Sequence, residues 1–136
     1  MKYGNVVRVG LSFDEALDQA RALLKAEGFG VLCDIDVAAT LKEKIGADFR
    51  RYRILGACSP QFAHQALERE NQLGLLLPCN VVVQELDGAT VVSSVNARAL
   101  LSLVDNPELL HVADEVNERL GRVLQLLATA AKADKG

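Results

Sequence analysis

"LGLLLPCNVVVQELDGATVVSSV", residues 73–95, is the stretch of sequence that decides the fold class. Two valine-rich runs flank the dipeptide Asp87–Gly88, which is a strong signal for a tight β-hairpin. The two strands of a hairpin are antiparallel, whereas parallel strands need a longer crossover connection. The sequence therefore predicts a sheet that is at least partly antiparallel.

The same stretch carries Pro78, Cys79 and Asn80 inside an otherwise apolar run. Proline has no backbone N–H, and a sheet tolerates it only at an edge, at a strand start or at a bulge. We therefore predict a bend at 78–80, which separates a short buried strand at 75–77 from a hairpin strand at 81–86. We expect the amide of Asn80 to satisfy backbone groups that this bend leaves free.

Strands and helices alternate in the part of the chain that precedes the hairpin. Predicted strands lie at 3–9, 29–36 and 51–58, and a helix follows each of them. The expected helix starts are a capping box of Ser12 with Glu15, a cap at Asp36, and a cap at Ser59 followed by Pro60.

The chain after the hairpin is predicted to be helical. A helical turn or two follows residue 95, and Asn106–Pro107 begins a long final helix with one apolar stripe. We expect an α+β domain over residues 1–127, built as a single layer of mostly antiparallel sheet with helices packed on one face. Residues 128–136 are expected to form a frayed tail.

The amino-acid composition indicates the assembly, the partners and the compartment that this chain is suited to. Half of the residues are hydrophobic and the mean hydropathy is +0.15, which favours an apolar surface that a second subunit covers in a homodimer. A net charge of −3, 4% aromatic residues and no Trp argue against nucleic-acid binding. No apolar run reaches the ~20 residues of a membrane span. Three cysteines and no signal peptide predict a reduced, cytoplasmic protein.

Three blocks of the sequence resemble a known family. They are "GFGVLCDIDVAATLKEKIGADFRRYRILGACSP" (28–60), "AHQAL" (63–67) and "LGLLLPCNVVV" (73–83), within a similarity that runs from Tyr3 to about Leu124. The family is the one labelled domain of unknown function 302. The resemblance implies a dimeric α+β domain similar to the TATA-binding-protein-like fold, with no established activity and no known cofactor.

The resemblance also sorts the candidate residues. Cys58, Pro78, Cys79 and Asn80 match the family pattern. The chain departs from that pattern at Ser59, where the family has asparagine, and at 33–34, where the family has threonine and glutamate and this chain has cysteine and aspartate. We therefore expect no role for the cysteine at 33.

Two cysteines are candidates for chemistry. Cys58 directly precedes a predicted helix start, whose partial positive charge favours a reactive thiolate, although a plain buried strand end is the alternative. Cys79 lies in an apolar run, where desolvation raises the pKa of a thiol. If their strands are neighbours, the two sulfurs approach each other and suit Cu(I), a persulfide or a transient disulfide. Zinc needs further ligands, for which His64 is the candidate, and His111 has no evident partner.

Charged residues form a second cluster of candidates. Lys42 with Arg53 or Arg51 could hold an anion, although a solvated helix face is the alternative. In the second strand, Val31, Cys33 and Ile35 are expected on one face, which leaves the carboxylates at 34 and 36 on the other. Two carboxylates suit a hard cation, but no third ligand is visible.

These features leave three functions open. The first is a homodimer that binds a small ligand or a soft metal near Cys58 and Cys79, with Asn80, Lys42 and Arg53 as further ligand-binding candidates. The second is a thiol-dependent sulfur-transfer or redox enzyme that uses Cys58. The third is a structural or interaction domain without a pocket.

Overall fold

The computed structural model describes residues 1–135, with side chains through residue 130. Five antiparallel strands form one sheet in the order β1-β5-β4-β3-β2. The strands are β1 (Gly4–Val9), β2 (Gly30–Asp36), β3 (Tyr52–Cys58), β4 (Cys79–Leu86) and β5 (Ala89–Val95). The helices are α1 (Phe13–Ala26), α2 (Val37–Ile45), α3 (Pro60–Arg69), α4 (Ala97–Leu101) and α5 (Leu110–Lys135). The predicted α+β architecture is confirmed.

The β4–β5 hairpin lies in the middle of the sheet. Asp87 and Gly88 both have positive φ, 52° and 77°, as a primed two-residue turn requires. Glycine adopts such a φ without steric penalty, and aspartate is among the residues that tolerate it. The turn therefore sets the register in which β4 and β5 pair from Leu86–Ala89 onward, as the sequence predicts.

Local signals fix the helix ends. Ser12 and Glu15 form the predicted capping box of α1, and the Asp36 side chain accepts a hydrogen bond from the backbone N–H of Ala39 at the start of α2. Ser59 occupies the N-cap position of α3, but its side chain makes no capping hydrogen bond. The prediction that Ser59 caps the helix is therefore correct in position only, and Pro60 at the first helical position marks the start.

The two faces of the sheet differ in what covers them. One side, the helix face, buries Leu55, Val81, Val83 and Val92 beneath α1 and α5. The residues of the predicted apolar stripe are all buried in the same core, and they are Leu109, directly before α5, and Ala113, Val116, Leu120, Val123 and Leu127 within it. The opposite side, the open face, presents the alternate strand residues, which include Val6, Cys33, Ile35, Tyr52, Ile54, Val82 and Ser93.

A bulge in β2 changes which of its side chains share a face. Val31 pairs with Ala57 but Cys33 pairs with the adjacent Gly56, so Leu32 is an extra residue without a partner. Val31 therefore packs on the helix-face core, whereas Cys33 and Ile35 lie on the open face. The prediction that these three residues share one face is wrong, because the alternation of a regular strand does not continue through a bulge.

The chain before β4 also differs from the sequence prediction. Residues 73–75 form a 3₁₀ turn rather than leading into a buried strand at 75–77, and Leu75 is 81% exposed. The break at Pro78 is confirmed, since β4 begins at Cys79 after a cis peptide bond between Leu77 and Pro78. Cys79 and Asn80 are thus the first two residues of the strand instead of part of a bend.

The final helix continues into the segment predicted to fray. It is helical through Lys135, while Gly136 lies outside the described residues, and fraying of 128–136 stays a prediction. Among the described helices, none combines the length and the apolar character needed to cross a membrane.

Candidate functional site

A small apolar cavity lies at the end of the sheet where β3 and β4 meet α3. Its volume is about 40 Å³, and the helices α4 and α5 close it on the side away from the sheet. The apolar lining includes Phe29, Phe62, Leu73, Leu101, Val112 and Val116. Two thiols, those of Cys58 and Cys79, lie in the wall of this cavity. It is therefore a water-poor space whose reactive groups are sulfur atoms.

The pairing of β3 with β4 places the two cysteines at the same end of the sheet. Cys79 pairs with Ala57, the residue before Cys58, and both cysteines line the same cavity. Burial, with a smaller effect from the nearby Cys58, raises the pKa of the Cys79 thiol to about 11. This confirms the sequence expectation for Cys79, which is a neutral thiol at physiological pH.

Cys58 lies at the junction between β3 and α3. It is the last residue of β3, is half-buried, and is followed by Ser59 and the first residue of α3. A preferential reactivity of Cys58 stays a prediction. Cys33, which the sequence assigns no role, is exposed on the open face and is the most accessible of the three thiols in a single chain.

Gly56 is a structural element of this site that the sequence interpretation missed. A Cβ atom at Gly56 would lie 2.5 Å from the Cys33 Sγ and 2.8 Å from the Pro78 Cγ. No side chain fits there, so the glycine allows the Pro78 ring to lie directly against β3. The signal was available, because a glycine inside a strand pattern often marks a place where another group approaches the backbone closely.

His64 does not join the two cysteines. Its Nε2 lies 2.7 Å from an Oε1 of Glu68 on the exposed side of α3, and it does not line the cavity. Within the described residues, no group of three or more His, Cys, Asp or Glu side chains is placed to hold a metal ion. His111, on α5, is exposed. The predicted addition of His64 to the cysteines is therefore wrong, because the histidine lies on the other side of its helix.

Asn80 belongs to a different cavity from Cys79. It pairs with Gly56 and is exposed on the open face, where it lines a groove of about 340 Å³ together with Tyr52 and Gln84. Asn80 does not line the cavity that Cys58 and Cys79 share, so it is not placed to serve the same site. The structure therefore does not bring Asn80 to the cysteines, beside which the sequence predicts it to bind a ligand.

The charged cluster is a set of ion pairs instead of an anion site. Arg53 donates two hydrogen bonds to Asp34, at 2.7 and 2.6 Å, and Arg21 donates to the same carboxylate. The hydrogen bonds from Arg53 lower the pKa of Asp34. Lys42, on α2, instead pairs with Asp48 at 2.9 Å. Lys42 and Arg53 therefore each have their own carboxylate partner, away from the cysteine cavity.

The carboxylates of β2 share a face, as the sequence predicts. Asp34 pairs with Leu55 and Asp36 with Arg53, which are both helix-face positions. Arg53 lies between them, with its Nη1 3.7 Å from Asp36. A cation at this pair would have to displace the arginine, so the structure explains the two carboxylates without a metal.

Comparison with known proteins places the chain in a family. The profile described as "Domain of unknown function DUF302" matches residues 5–127. The chain belongs to the DUF302 family. A crystal structure of an uncharacterized conserved DUF302 protein from Bacillus stearothermophilus is 32% identical to it, with a TM-score of 0.86. That match covers 91% of this chain and 97% of the other.

The DUF302 fold is thus shared over nearly the full length of both proteins. The relative is itself uncharacterized, and no curated protein matches the chain. The likeness to the TATA-binding-protein-like fold stays a prediction. A function for this DUF302 domain has to be argued from its own residues.

Proposed function

We propose that this DUF302 domain binds one soft monovalent metal ion between Cys58 and Cys79. The observation that carries the proposal is that two thiols line one apolar cavity at the meeting point of two paired strands. Thiolate ligands prefer soft ions such as Cu(I). The oxygen and nitrogen ligands of the surrounding surface are harder and do not share this preference.

The size of the cavity favours an ion over a metabolite. Pockets that enclose small organic ligands have volumes of roughly 300–1,000 Å³. The space beside Cys58 and Cys79 is about 40 Å³ and almost wholly apolar, so it has room for an ion or a few atoms. A small organic ligand would need α3 to move away from the sheet.

The ligand set favours a low coordination number. A structural zinc site takes four protein ligands, and a catalytic one takes three with water. The described residues offer two sulfurs here and no third ligand, since His64 is paired with Glu68 at the surface. Cu(I) and its analogue Ag(I) are the ions that two thiolates can satisfy.

The geometry gives less support to a thiol enzyme. Such an enzyme needs an activated thiol with an acid or base within hydrogen-bond reach. The Cys79 thiol is neutral and buried, and the cavity lining holds no His, Asp or Glu. Sulfur-transfer or redox chemistry at Cys58 remains the alternative. The observation that supports it is the half-buried position of Cys58 directly before the start of α3.

The second part of the proposal is that the domain works as a homodimer. Its support is the apolar composition, with half of the residues hydrophobic and a mean hydropathy of +0.15. Chains with that much apolar surface tend to cover it with a second subunit. Sedimentation equilibrium at tens of micromolar should give twice the chain mass of 14.7 kDa, and a single 14.7 kDa species would contradict the dimer.

Native mass spectrometry after addition of Ag(I) or reduced copper tests the metal site. The wild-type protein should carry one ion per chain, and Cys58→Ser and Cys79→Ser should each lose it. Cys33→Ser is the matched control, because that thiol lies on the other face of the sheet, and it should bind as the wild type does. Wild-type protein that takes up no ion, or a Cys79→Ser variant that keeps it, would contradict the proposal.

A further inference from the structure

We infer that the open face of the sheet is the surface through which two copies of this chain associate. The inference rests on the proposed homodimer and adds the location of its interface. A sheet whose open side met only water would alternate apolar residues toward the core with polar ones outward. Here Val6, Ile35, Ile54 and Val82 all lie on the side that the helices leave uncovered.

The open face is almost free of charge. Among the strand positions that point to this side, Arg8 is the one charged side chain, and none carries a carboxylate. The helix layer is different, since its outer surface holds ion pairs such as Arg122 with Glu27 and Arg98 with Asp114. The outer surface of the helix layer is therefore suited to contact with solvent. Burial of the open face in an interface would desolvate few charges.

The residues around the groove are of the types that interfaces favour. Both tyrosines of the chain, Tyr3 and Tyr52, line it. Phe49 lies with its ring centroid 6.0 Å from that of Tyr52, and Arg50 lies over both of these rings. Aromatic residues and arginine are enriched at protein–protein interfaces, where they contribute most of the binding energy.

The polar groups of this face are compatible with a second copy of the same face. Asn80 and Ser93 each carry both a donor and an acceptor, so each can bond to its own kind across a two-fold axis, while the Gln84 Oε1 accepts from Arg50 of the same chain. A nucleic acid would need an extended basic surface, and a strongly charged protein would need many opposite charges, whereas among the described residues the charged side chains at this face are the two arginines Arg8 and Arg50.

The area of the face agrees with a stable dimer. Five strands about 4.8 Å apart and about seven residues long span roughly 24 Å by 24 Å, or about 600 Å² before side-chain relief is counted. A standard interface buries about 800 Å² on each partner. The five strands with the flanking Tyr3 and Phe49 therefore offer an area of the required order.

Sedimentation velocity on two matched double variants tests the surface. Val6→Lys with Ile35→Lys places charges on the open face at residues that are 47% and 45% exposed, so the single chain tolerates them. Leu126→Lys with Leu67→Lys makes the same charge change on the helix layer, where these two residues are 48% and 39% exposed. The open-face variant should be monomeric, with a dissociation constant raised at least about a hundredfold, and the control should remain dimeric.

The thiol of Cys33 gives a second readout that needs no substitution. Cys33 lies on the open face, so its alkylation rate in the wild-type protein should fall as the protein concentration rises through the dimer dissociation constant. If the wild-type protein is a dimer but the open-face variant is dimeric too, the inferred interface is wrong and the homodimer itself is unaffected. The same holds if the alkylation rate of Cys33 does not change with protein concentration. A wild-type monomer overturns both, and uptake of an apolar dye by that monomer would assign the face to a small molecule.

Discussion

The ring of Pro78 packs against Gly56 so closely that a Cβ atom at Gly56 would lie 2.8 Å from the Pro78 Cγ. This contact fixes where β4 begins, and β4 begins with Cys79. The position of the Cys79 thiol in its cavity thus depends on a residue on the neighbouring strand that has no side chain.

Gly56→Ala should destabilise the fold. The added methyl group would overlap the Pro78 ring and the Cys33 sulfur, and overpacking of this kind costs about 1–3 kcal/mol in the free energy of unfolding. Gly121→Ala is the control, because no atom lies within 4 Å of its Cβ position and alanine is the better helix former, so it should stabilise by up to about 1 kcal/mol. Urea denaturation measures both changes, and equal stability of the two variants would refute the packing argument.

Cys58 should react with an alkylating agent before Cys79 does. Burial raises the pKa of Cys79 to about 11, so this thiol is protonated at neutral pH, while Cys58 lies where β3 ends directly before the start of α3. Peptide mapping after timed alkylation at pH 7 in a Cys33→Ser background gives the order. If Cys58 stays unlabelled in the native protein and labels freely in denaturant, it is a packing residue and the thiol-enzyme alternative is abandoned.

Asp34 should contribute to stability above its unfolded-state pKa and lose that contribution in acid. The hydrogen bonds from Arg53 lower its pKa in the folded protein, so stability falls as the pH drops below about 4 through the folded-state value. Asp34→Asn should cost about 1–3 kcal/mol at pH 7 and flatten this acid dependence. Asp48→Asn breaks an exposed pair with Lys42 and should change little. An Asp34→Asn variant with the acid profile of the wild type would contradict this account.

Metal binding should strengthen as the pH rises. A bound ion must displace the proton of the Cys79 thiol, whose pKa is raised to about 11, so the affinity should increase by at least about tenfold per pH unit between pH 6 and pH 8. Competition against a chelator of known pH dependence measures the change. An affinity that does not vary with pH would mean that the ion is held by groups already deprotonated, and Cys79 would not be a ligand.

The sequence predicts those parts of the fold that depend on neighbouring residues. The Asp87–Gly88 turn, the capping box at Ser12 and the Asp36 cap are each complete within a few residues, and all three are present. The α5 stripe is predictable because its period is that of the helix. These local signals are sufficient for the antiparallel sheet and its helices.

The errors arise where tertiary packing decides. Leu75 is apolar but exposed in a 3₁₀ turn, and the bulge at Leu32 moves Val31 to the face opposite Cys33. His64 and Asn80 are near the cysteines in sequence, yet a helix and a strand turn them away. The proximity of Cys58 to Cys79 depends on β3 and β4 being neighbours, which the spacing of the cysteines alone cannot establish.

X-ray absorption spectroscopy of the protein loaded with Cu(I) tests the central claim most directly. The proposed site has two protein ligands, Cys58 and Cys79, and no third donor within the described residues. The spectrum of the wild-type protein, and equally of Cys33→Ser, should therefore show two sulfur neighbours around each copper. A shell that contains nitrogen or oxygen, or three or more sulfurs, would contradict a site formed by these two cysteines.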